Sequence, residues 1–464
     1  MSISNSFLKH FLIFIPLISG IQFSFAQQSD SLMLRKIYND ELQNGKAYSW
    51  LYDLTTKIGG RLSGSPEAAA AVLFAKKTML EAGADSVWLQ EVWVPHWVRG
   101  EKETGKIIDG KGNAQEVPIT ALGMSICTPP EGITAAVIEV HDFDELKKLG
   151  VEKIKGKIVF YNHPFDQTFS NVFEAYNEAG KYRYIGASEA SRYGAIASVV
   201  RSMSSSDNDF PHTGAQGYND SLPKIPCAAI STNGANLLSN ILKADRNVKF
   251  YLKQNCQLLD SVLSYNVVGE IKGTDFPEEI ILVGGHLDSW ETGKGAHDDG
   301  AGVVQSIEVL RIFKTLGIKP KRTVRAVAFM NEENGLRGGK KYAELAHKNN
   351  EKHIVAIESD AGGFAPYGFG LNMDEKKSAK ILLWSDLFLP YEIWHWGGDG
   401  DGADISPLTR NKNVPGIGLQ VNSQRYFEIH HAVTDVIENV NKRELHLGAA
   451  AMTSLIYLLS FYGL

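Results

Sequence analysis

Short apolar segments and helical segments alternate along the chain after about residue 260. Residues 280–283, 324–329 and 354–357 are apolar runs that predict buried strands, and residues 301–316 carry apolar side chains at helical spacing. Strands that alternate with helices favour an α/β sandwich in which helices cover a mixed, largely parallel central sheet. This pattern restricts the possible fold more than any other feature of the chain.

Histidine and acidic residues stand directly after these predicted strands. His286 follows the first strand, Glu332 and Glu333 follow the second, and Asp360 follows the third. In open α/β sheets, ligands bind beyond the carboxyl ends of the strands. The four side chains are therefore predicted to meet at one edge of the sheet.

Two further patches complete a candidate set of metal ligands. Asp298 lies within residues 296–300, and two histidines stand together at His430 and His431. Two imidazoles and three carboxylates can hold two zinc ions. A glutamate left over beside them has the chemistry of a general base. The sequence thus predicts a hydrolytic site with two zinc ions per chain.

These patches resemble the metal motifs of the M28 family of zinc aminopeptidases. Within that family, residues 58–67, 95–100 and 404–408 resemble the carboxypeptidase Q branch, and the similarity covers essentially all of the chain after residue 26. The resemblance implies a zinc-exopeptidase α/β/α sandwich with an inserted protease-associated-like cap domain. It also implies a secreted dizinc exopeptidase that hydrolyses dipeptides or short peptides with a free N-terminus, by attack of a metal-bound hydroxide.

The resemblance also assigns roles to the residues of the site. Glu332 matches the general base, and Asp298 matches a carboxylate that bridges the two zinc ions. The five expected metal ligands are His286, Asp298, Glu333, Asp360 and His431. His431 is preferred to His430 because Asp435 stands four residues after it, as in the family pattern. A cis peptide bond is expected between Asp298 and Asp299.

Two aspartates are expected to orient the histidine ligands by hydrogen bonds to the ring nitrogens that do not bind metal. Asp288 and Asp435 are predicted to accept the second ring proton of His286 and His431, respectively. For Asp288, the alternative is an ordinary aspartate in a surface turn.

Four more residues are candidates for the pocket or for its support. His297 either lines the pocket or makes a structural hydrogen bond, and Asp299 is expected to hold the loop. Asp404 and Ser406 are candidates for shaping the pocket, and a helix cap is the alternative for Asp404.

The chain is predicted to contain three parts. They are a signal peptide over residues 1–26, a zinc peptidase domain over 27–125 and 255–464, and an inserted cap domain over 126–254. The cap region alternates short strands with loops, and residues 202–223 are predicted to form an exposed loop. Within that loop, residues 211–214 are candidates for reaching the site.

The N-terminus predicts export from the cytoplasm. Lys9 precedes the apolar run 11–21, and small residues at 24 and 26 offer a cleavage site. The run is shorter than the ~20 residues of a spanning helix, so export to the periplasm or the exterior is favoured over anchoring. The uncharged residues 447–464 are predicted to form a buried final helix rather than a membrane span.

The expected partners follow from charge and from the resemblance. A net charge of −6 offers no basic surface for nucleic acid. The expected substrate is a short peptide, and the relatives suggest a homodimer.

Two other functions compete with the zinc exopeptidase. One is a glutaminyl-cyclase-like acyltransferase, which shares the fold but uses a single zinc ion. The other is a non-catalytic binding ectodomain like the peptidase-like region of transferrin receptors. The presence of every expected ligand, including His286 and Asp360, disfavours both.

Overall fold

A computed structural model describes residues 28–412 and 414–464, so the predicted signal peptide lies outside the described residues. The strands are β1 (Ser86–Val98), β2 (Thr104–Ile108), β3 (Ala114–Val117), β4 (Ile119–Ala121), β5 (Ile133–Val140), β6 (Ile158–Tyr161), β7 (Ala197–Arg201), β8 (Cys227–Ile230), β9 (Lys249–Lys253), β10 (Gln257–Ile271), β11 (Phe276–His286), β12 (Arg322–Phe329), β13 (Lys352–Glu358), β14 (Pro366–Asn372), β15 (His395–Trp396) and β16 (Gly416–Val421).

The helices are α1 (28–44), α2 (Ala47–Asp53), α3 (Pro66–Glu81), α4 (Phe143–Ile154), α5 (Val172–Tyr184), α6 (Gly186–Arg192), α7 (Thr232–Ala244), α8 (Ala301–Thr315), α9 (Arg337–Lys348), α10 (Glu375–Leu382), α11 (Ser385–Phe388), α12 (Ser406–Lys412), α13 (Tyr426–Ile429) and α14 (Lys442–Tyr462). Helix α3 starts at Pro66, because the Ser65 hydroxyl accepts a hydrogen bond from the Ala68 amide and proline suits the first turn of a helix.

The first sheet is the centre of the predicted sandwich. Its strand order is β1-β10-β12-β11-β13-β16-β14-β15. The four central strands β12, β11, β13 and β16 run parallel to one another, whereas β1, β10 and β14 join by antiparallel pairing. The mixed, largely parallel sheet predicted from the sequence is therefore confirmed.

Alternate residues of the central strands face two separate hydrophobic cores. On β11, Ile281 and Val283 join the core formed with α3, α8 and α14, whereas Leu282 joins the core formed with α9 and α12. Residues on β12 alternate in the same way. Helices thus cover both faces of the sheet, which is the α/β/α arrangement expected from the alternating pattern.

The last helix, α14, packs inside this sandwich. It is the one described helix long and apolar enough to cross a membrane, and 83% of its most apolar window is buried inside the protein. The prediction of a buried final helix is confirmed.

The second sheet has the strand order β3-β2-β9-β5-β6-β7-β8-β4. Its strands lie within residues 104–253, between β1 and β10 of the first sheet, and we call these residues the inserted region. Three of its strands, β2, β3 and β4, precede residue 126, where the sequence predicts the cap domain to begin. They lie in this sheet because β2 pairs with β9 and β4 pairs with β8.

Candidate metal centre

The ends of three neighbouring parallel strands deliver the first group of site residues. His286 is the last residue of β11, Glu332 and Glu333 follow β12, and Asp360 follows β13. In register, His286 lies beside Phe329 at the end of β12. The side chains meet at one edge of the sheet, as the sequence predicts.

The carboxylate of Asp298 reaches both histidines of the expected ligand set. Its Oδ1 lies 3.1 Å from Nε2 of His286, and its Oδ2 lies 3.1 Å from Nε2 of His431. Nε2 of His286 also lies 3.6 Å from Asp360, and Nε2 of His431 lies 3.1 Å from Glu333. One aspartate therefore joins two clusters of potential ligands, and each cluster holds one histidine and one further carboxylate.

Both imidazoles have the orientation that a metal ligand needs. Nδ1 of His286 donates to the backbone carbonyl of Asp288 at 2.9 Å, and Nδ1 of His431 donates to the carbonyl of Thr213 at 3.2 Å. A carbonyl oxygen can only accept, so Nδ1 carries a proton in each ring, and Nε2 is the nitrogen that would coordinate a metal ion at the centre of the site.

His430 lies closer to the centre than the sequence indicates. Its ring stacks on His431 at 3.5 Å between centroids, and its Nε2 lies 3.4 Å from Oδ2 of Asp298. Side-chain atoms of Asp298, His430 and His431 lie close enough together to hold one ion, so His430 is an additional candidate ligand.

The carboxylates of Asp288 and Asp435 do not orient the histidines, which corrects the sequence prediction. Oδ1 of Asp288 accepts from the amides of Asn331 and Glu332 at 2.7 and 3.0 Å, and it lies 3.9 Å from Nδ1 of His286. The backbone carbonyl of Asp288 takes the expected place instead. Asp288 thereby fixes the start of the loop that carries Glu332.

Asp435 holds the loop that carries Asp298. Its two oxygens accept from the amides of Ala296, His297 and Asp298 at 3.1, 2.7 and 3.2 Å. The expected partner His431 uses the carbonyl of Thr213, because the inserted region supplies that acceptor.

The rest of the Asp298 loop is held by its own side chains. The peptide bond between Asp298 and Asp299 is cis, as expected. Asp299 accepts from the amides of His286 and Gly302, both at 3.0 Å. His297 hydrogen-bonds with Asn439 and Gly363 behind the loop and does not line the cleft, so its structural alternative is the one that the contacts support.

Asp404 and Ser406 also lie away from the cleft. The Asp404 side chain is buried with no hydrogen-bond partner for either oxygen, and Ser406 donates to the carbonyl of Ala403 at 3.0 Å. Neither residue lines the cleft, and no contact supports a helix cap at Asp404. Burial raises the pKa of Asp404 well above its usual value, and the nearby Glu358 raises it further.

Arg61 is a residue of the site that the sequence interpretation missed. It is fully buried, and it donates to the carbonyls of Leu287, Lys294 and Gly295 at 2.5, 2.9 and 3.0 Å. It therefore ties the end of β11 to the loop that precedes Asp298. Its place within the glycine-rich turn 58–67 was the available signal.

The inserted region forms the wall of the site opposite the edge of the first sheet. A cleft of about 290 Å³ contains the candidate ligands and Glu332, and its other wall carries Phe173, Tyr176 and Arg183 of α5. The loop at 212–214 also reaches the site, because Thr213 exchanges hydrogen bonds with His431 in both directions. That part of the loop is buried, so the prediction of an exposed loop is wrong there.

A larger cavity adjoins the cleft. It has a volume of about 1140 Å³, and it shares Asp360 and Phe173 with the cleft. Trp394 and Tyr367 stack with each other in its wall at 5.4 Å. The site is therefore open on one side to a space that can hold a substrate side chain.

The electrostatics of the cleft are those of a carboxylate cluster that needs cations. Burial raises the pKa of Glu333 to about 7, with a further contribution from the charge of Asp298. Burial also raises the pKa of Glu332 well above its usual value, and Asp360 adds to that effect although His286 opposes it. Bound divalent cations would favour the ionised forms of these groups.

The donor set fits zinc. Within the described part of the chain, Oδ2 of Asp298 is buried without a hydrogen-bond partner, and Nε2 of His431 and Nε2 of His430 lie 3.1 and 3.4 Å from it. Imidazole nitrogens combined with carboxylates suit zinc among the common divalent ions.

Comparisons with known proteins agree with this geometry. The model of peptidase family M28 matches residues 266–456. The chain is 36% identical over 415 residues to carboxypeptidase Q of Homo sapiens, and the match covers 89% of this chain and 85% of that protein. It is 35% identical to carboxypeptidase Q of Mus musculus, and that match covers 89% of this chain and 86% of the mouse protein.

Solved structures also resemble the fold. A peptidase M28 precursor from Shewanella amazonensis has a TM-score of 0.90 and 29% identity, covering 94% of this chain and 98% of that chain. A zinc aminopeptidase from Bacillus subtilis has a TM-score of 0.66 and 20% identity, with coverage of 89% and 95%. The second likeness concerns the fold alone.

Proposed function

The chain belongs to peptidase family M28 and is a zinc metallopeptidase, and from this premise we propose that it is a dizinc exopeptidase. Its proposed substrates are dipeptides or short peptides with a free N-terminus. The observation that carries the proposal is the Asp298 carboxylate, whose two oxygens each lie 3.1 Å from a different histidine.

The proposed zinc ligands divide into two sets around this aspartate. His286 and Asp360 would hold one ion, His431 and Glu333 would hold the other, and Asp298 would serve both. When bound, zinc ions polarise a peptide carbonyl and lower the pKa of water toward ~7. The buried hydrogen bonds that Asp288, Asp435 and Asp299 accept from backbone amides would keep these loops in place.

Glu332 is the proposed general base. It lines the cleft, and its backbone amide is fixed by Asp288. Glu332 would take a proton from the attacking water and pass it to the nitrogen of the leaving amine.

The shape and charge of the cleft support short substrates with a free amino group. The cleft of about 290 Å³ is covered by the inserted region, which leaves no room for a folded chain. Four carboxylates line it, and a positively charged α-amino group would be attracted to them. The adjoining cavity would take the side chain of the N-terminal residue.

The proposal includes the organisation and location of the protein. We assign the cap domain to residues 104–253, the span of the second sheet, with the peptidase domain on either side. Residues 1–26 would direct export to the periplasm or the exterior.

A substrate panel tests the function. The purified enzyme with full zinc occupancy is expected to hydrolyse unblocked dipeptides such as Ala-Ala and to leave their N-acetylated forms intact. Failure to cleave any unblocked dipeptide, or equal rates on the acetylated forms, would contradict the proposal.

A further inference from the structure

The inserted region contributes one cation to the wall of the catalytic cleft. Arg183 lies near the end of α5, and it shares the cleft-lining face of that helix with Phe173 and Tyr176. Arg183 is the one lysine or arginine among the described residues that line the cleft. Every other charged group there is a carboxylate or a histidine.

The guanidinium group of Arg183 has hydrogen-bond donors without partners. Its Nη2 donates to the Tyr176 hydroxyl at 2.8 Å, and the group lies 5.2 Å from the centre of the Tyr176 ring. Nε and Nη1 are buried and have no hydrogen-bond partner in the described chain. Buried donors without partners are rare and costly, so these two nitrogens indicate a place for an anion that arrives with a ligand.

The position of Arg183 fits a group that is part of the substrate. A Cβ atom at Gly214 would lie 2.5 Å from Nη1 of Arg183 and 2.8 Å from Nδ1 of His431, so the two side chains are close neighbours. An extended peptide advances about 3.3–3.6 Å per residue. The residue that follows the scissile bond would therefore lie within reach of Arg183.

The charge balance of the cleft agrees with this position. Two zinc ions would offset the four carboxylates of the cleft, which are Asp298, Glu332, Glu333 and Asp360. The positive charge of Arg183 would remain without a partner. A substrate carboxylate would supply the missing negative charge.

We propose that Arg183 binds a carboxylate on the residue that follows the scissile bond, which in an unblocked dipeptide is the C-terminal carboxylate. This inference rests on the proposed exopeptidase function and narrows its substrates to peptides that end one residue after the cleaved bond. Charge-assisted hydrogen bonds from a guanidinium group are strong enough to make that carboxylate a requirement.

Three substrates and one variant test the proposal. The wild type is expected to cleave Ala-Ala about 10- to 100-fold more efficiently, in kcat/KM, than Ala-Ala amide. In Arg183→Gln this ratio falls to near one, because Ala-Ala loses efficiency and the amide does not. Ala-Asp amide carries only a side-chain carboxylate. If Arg183 also binds a carboxylate in that position, this substrate too will lose kcat/KM in Arg183→Gln.

Matched variants separate binding from folding and from general electrostatics. Lys181→Gln removes an exposed charge from the same helix and should leave the ratio unchanged. Arg183→Lys keeps the charge and should keep part of the preference. Zinc content and melting temperature should match the wild type in all three variants. A preference for the carboxylate that persists in Arg183→Gln would overturn the proposal.

A binding measurement gives the same answer without turnover. Calorimetry with Ala-Ala and Ala-Ala amide is carried out on Glu332→Gln and on Glu332→Gln combined with Arg183→Gln. The first protein should bind Ala-Ala about 10- to 100-fold more tightly than the amide, and the second should bind them equally. If the wild type cleaves no dipeptide, the proposed function fails, whereas this binding difference alone decides the role of Arg183.

Discussion

Two buried acidic clusters lie in the same domain, and they differ in the cation that each contains. In the arginine-centred cluster, Arg311 contacts Asp40 at 2.8 Å, Glu41 at 2.7 Å and Glu308 as well. His446 adds a contact to Glu41 at 2.5 Å. The chain thus supplies the positive charge that keeps these acids buried.

In the metal-centre cluster, the ion-pair partners of the carboxylates among the described residues are histidines, with no lysine or arginine. Asp298, Glu333 and Asp360 face two histidines, and in each of these rings Nδ1 donates to a backbone carbonyl on the side away from the carboxylates. Arg61, which is fully buried beside the Asp298 loop, gives its hydrogen bonds to backbone carbonyls instead of to these carboxylates. Clustered carboxylates and histidines that lack a lysine or arginine partner fit a site for metal ions from solution.

Removal of zinc should have the largest effect. Treatment with a chelator is expected to lower activity by at least ~10³-fold, because the polarising ions are lost, and added zinc should restore it.

Zinc at about 100 times its dissociation constant should stabilise the wild type by ~2.7 kcal/mol. Thermal unfolding should show this gain in Glu308→Gln but not in Asp298→Asn. Equal gains in both variants would mean that the two clusters do not differ as described.

Replacement of the base should come next. Glu332→Gln is expected to keep its zinc and to lose at least ~10²-fold in kcat, because proton transfer is lost. Metal analysis and steady-state kinetics check both points. Glu344→Gln, on an exposed surface of α9, is the matched control. Unchanged turnover in Glu332→Gln would show that the base is another residue.

Loss of the loop support should have a smaller effect. Asp435→Asn removes one acceptor from the three amides that precede and include Asp298. Zinc affinity should fall by about 10- to 100-fold, as is usual for groups that hold metal ligands in place. Competition with a zinc-binding dye measures the zinc affinity of the variant and of the wild type. Asp374→Asn changes a helix cap far from the site and should leave the affinity as it is.

The arginine-centred cluster should reveal itself in the pH dependence of stability. Burial raises the pKa of Glu308 from 4.5 to about 8, so between these values the folded protein binds more protons than the unfolded chain. The free energy of unfolding therefore falls as pH rises through this window. Glu308→Gln should reduce the fall in unfolding free energy across this pH window by on the order of 1 kcal/mol, which corresponds to roughly 2–4 °C in melting temperature. An unchanged slope would contradict the assigned shift.

The sequence placed three of the five candidate ligands together because these residues stand at fixed places in a regular pattern. His286, Glu333 and Asp360 each follow an apolar strand, and parallel strands bring their ends together at one edge. The same regularity predicted the sandwich and the buried final helix. Local apolar patterns were sufficient for these elements.

The supporting contacts could not be predicted because they join distant parts of the chain. The carbonyl that orients His431 belongs to Thr213, and the amides bound by Asp435 lie more than a hundred residues before it. Arg183 stands in a helix that carries one lysine and three tyrosines, so its sequence context is that of a surface helix. Only the packing of the inserted region over the sheet edge gives it a place in the cleft.

The central claim is that one aspartate serves two ions. Anomalous diffraction at the zinc edge from zinc-loaded crystals tests it most directly. Two peaks of equal height, about 3.5–4 Å apart on either side of the Asp298 carboxylate, are the expected result. A single peak, or two peaks that share no contact with Asp298, would contradict the account.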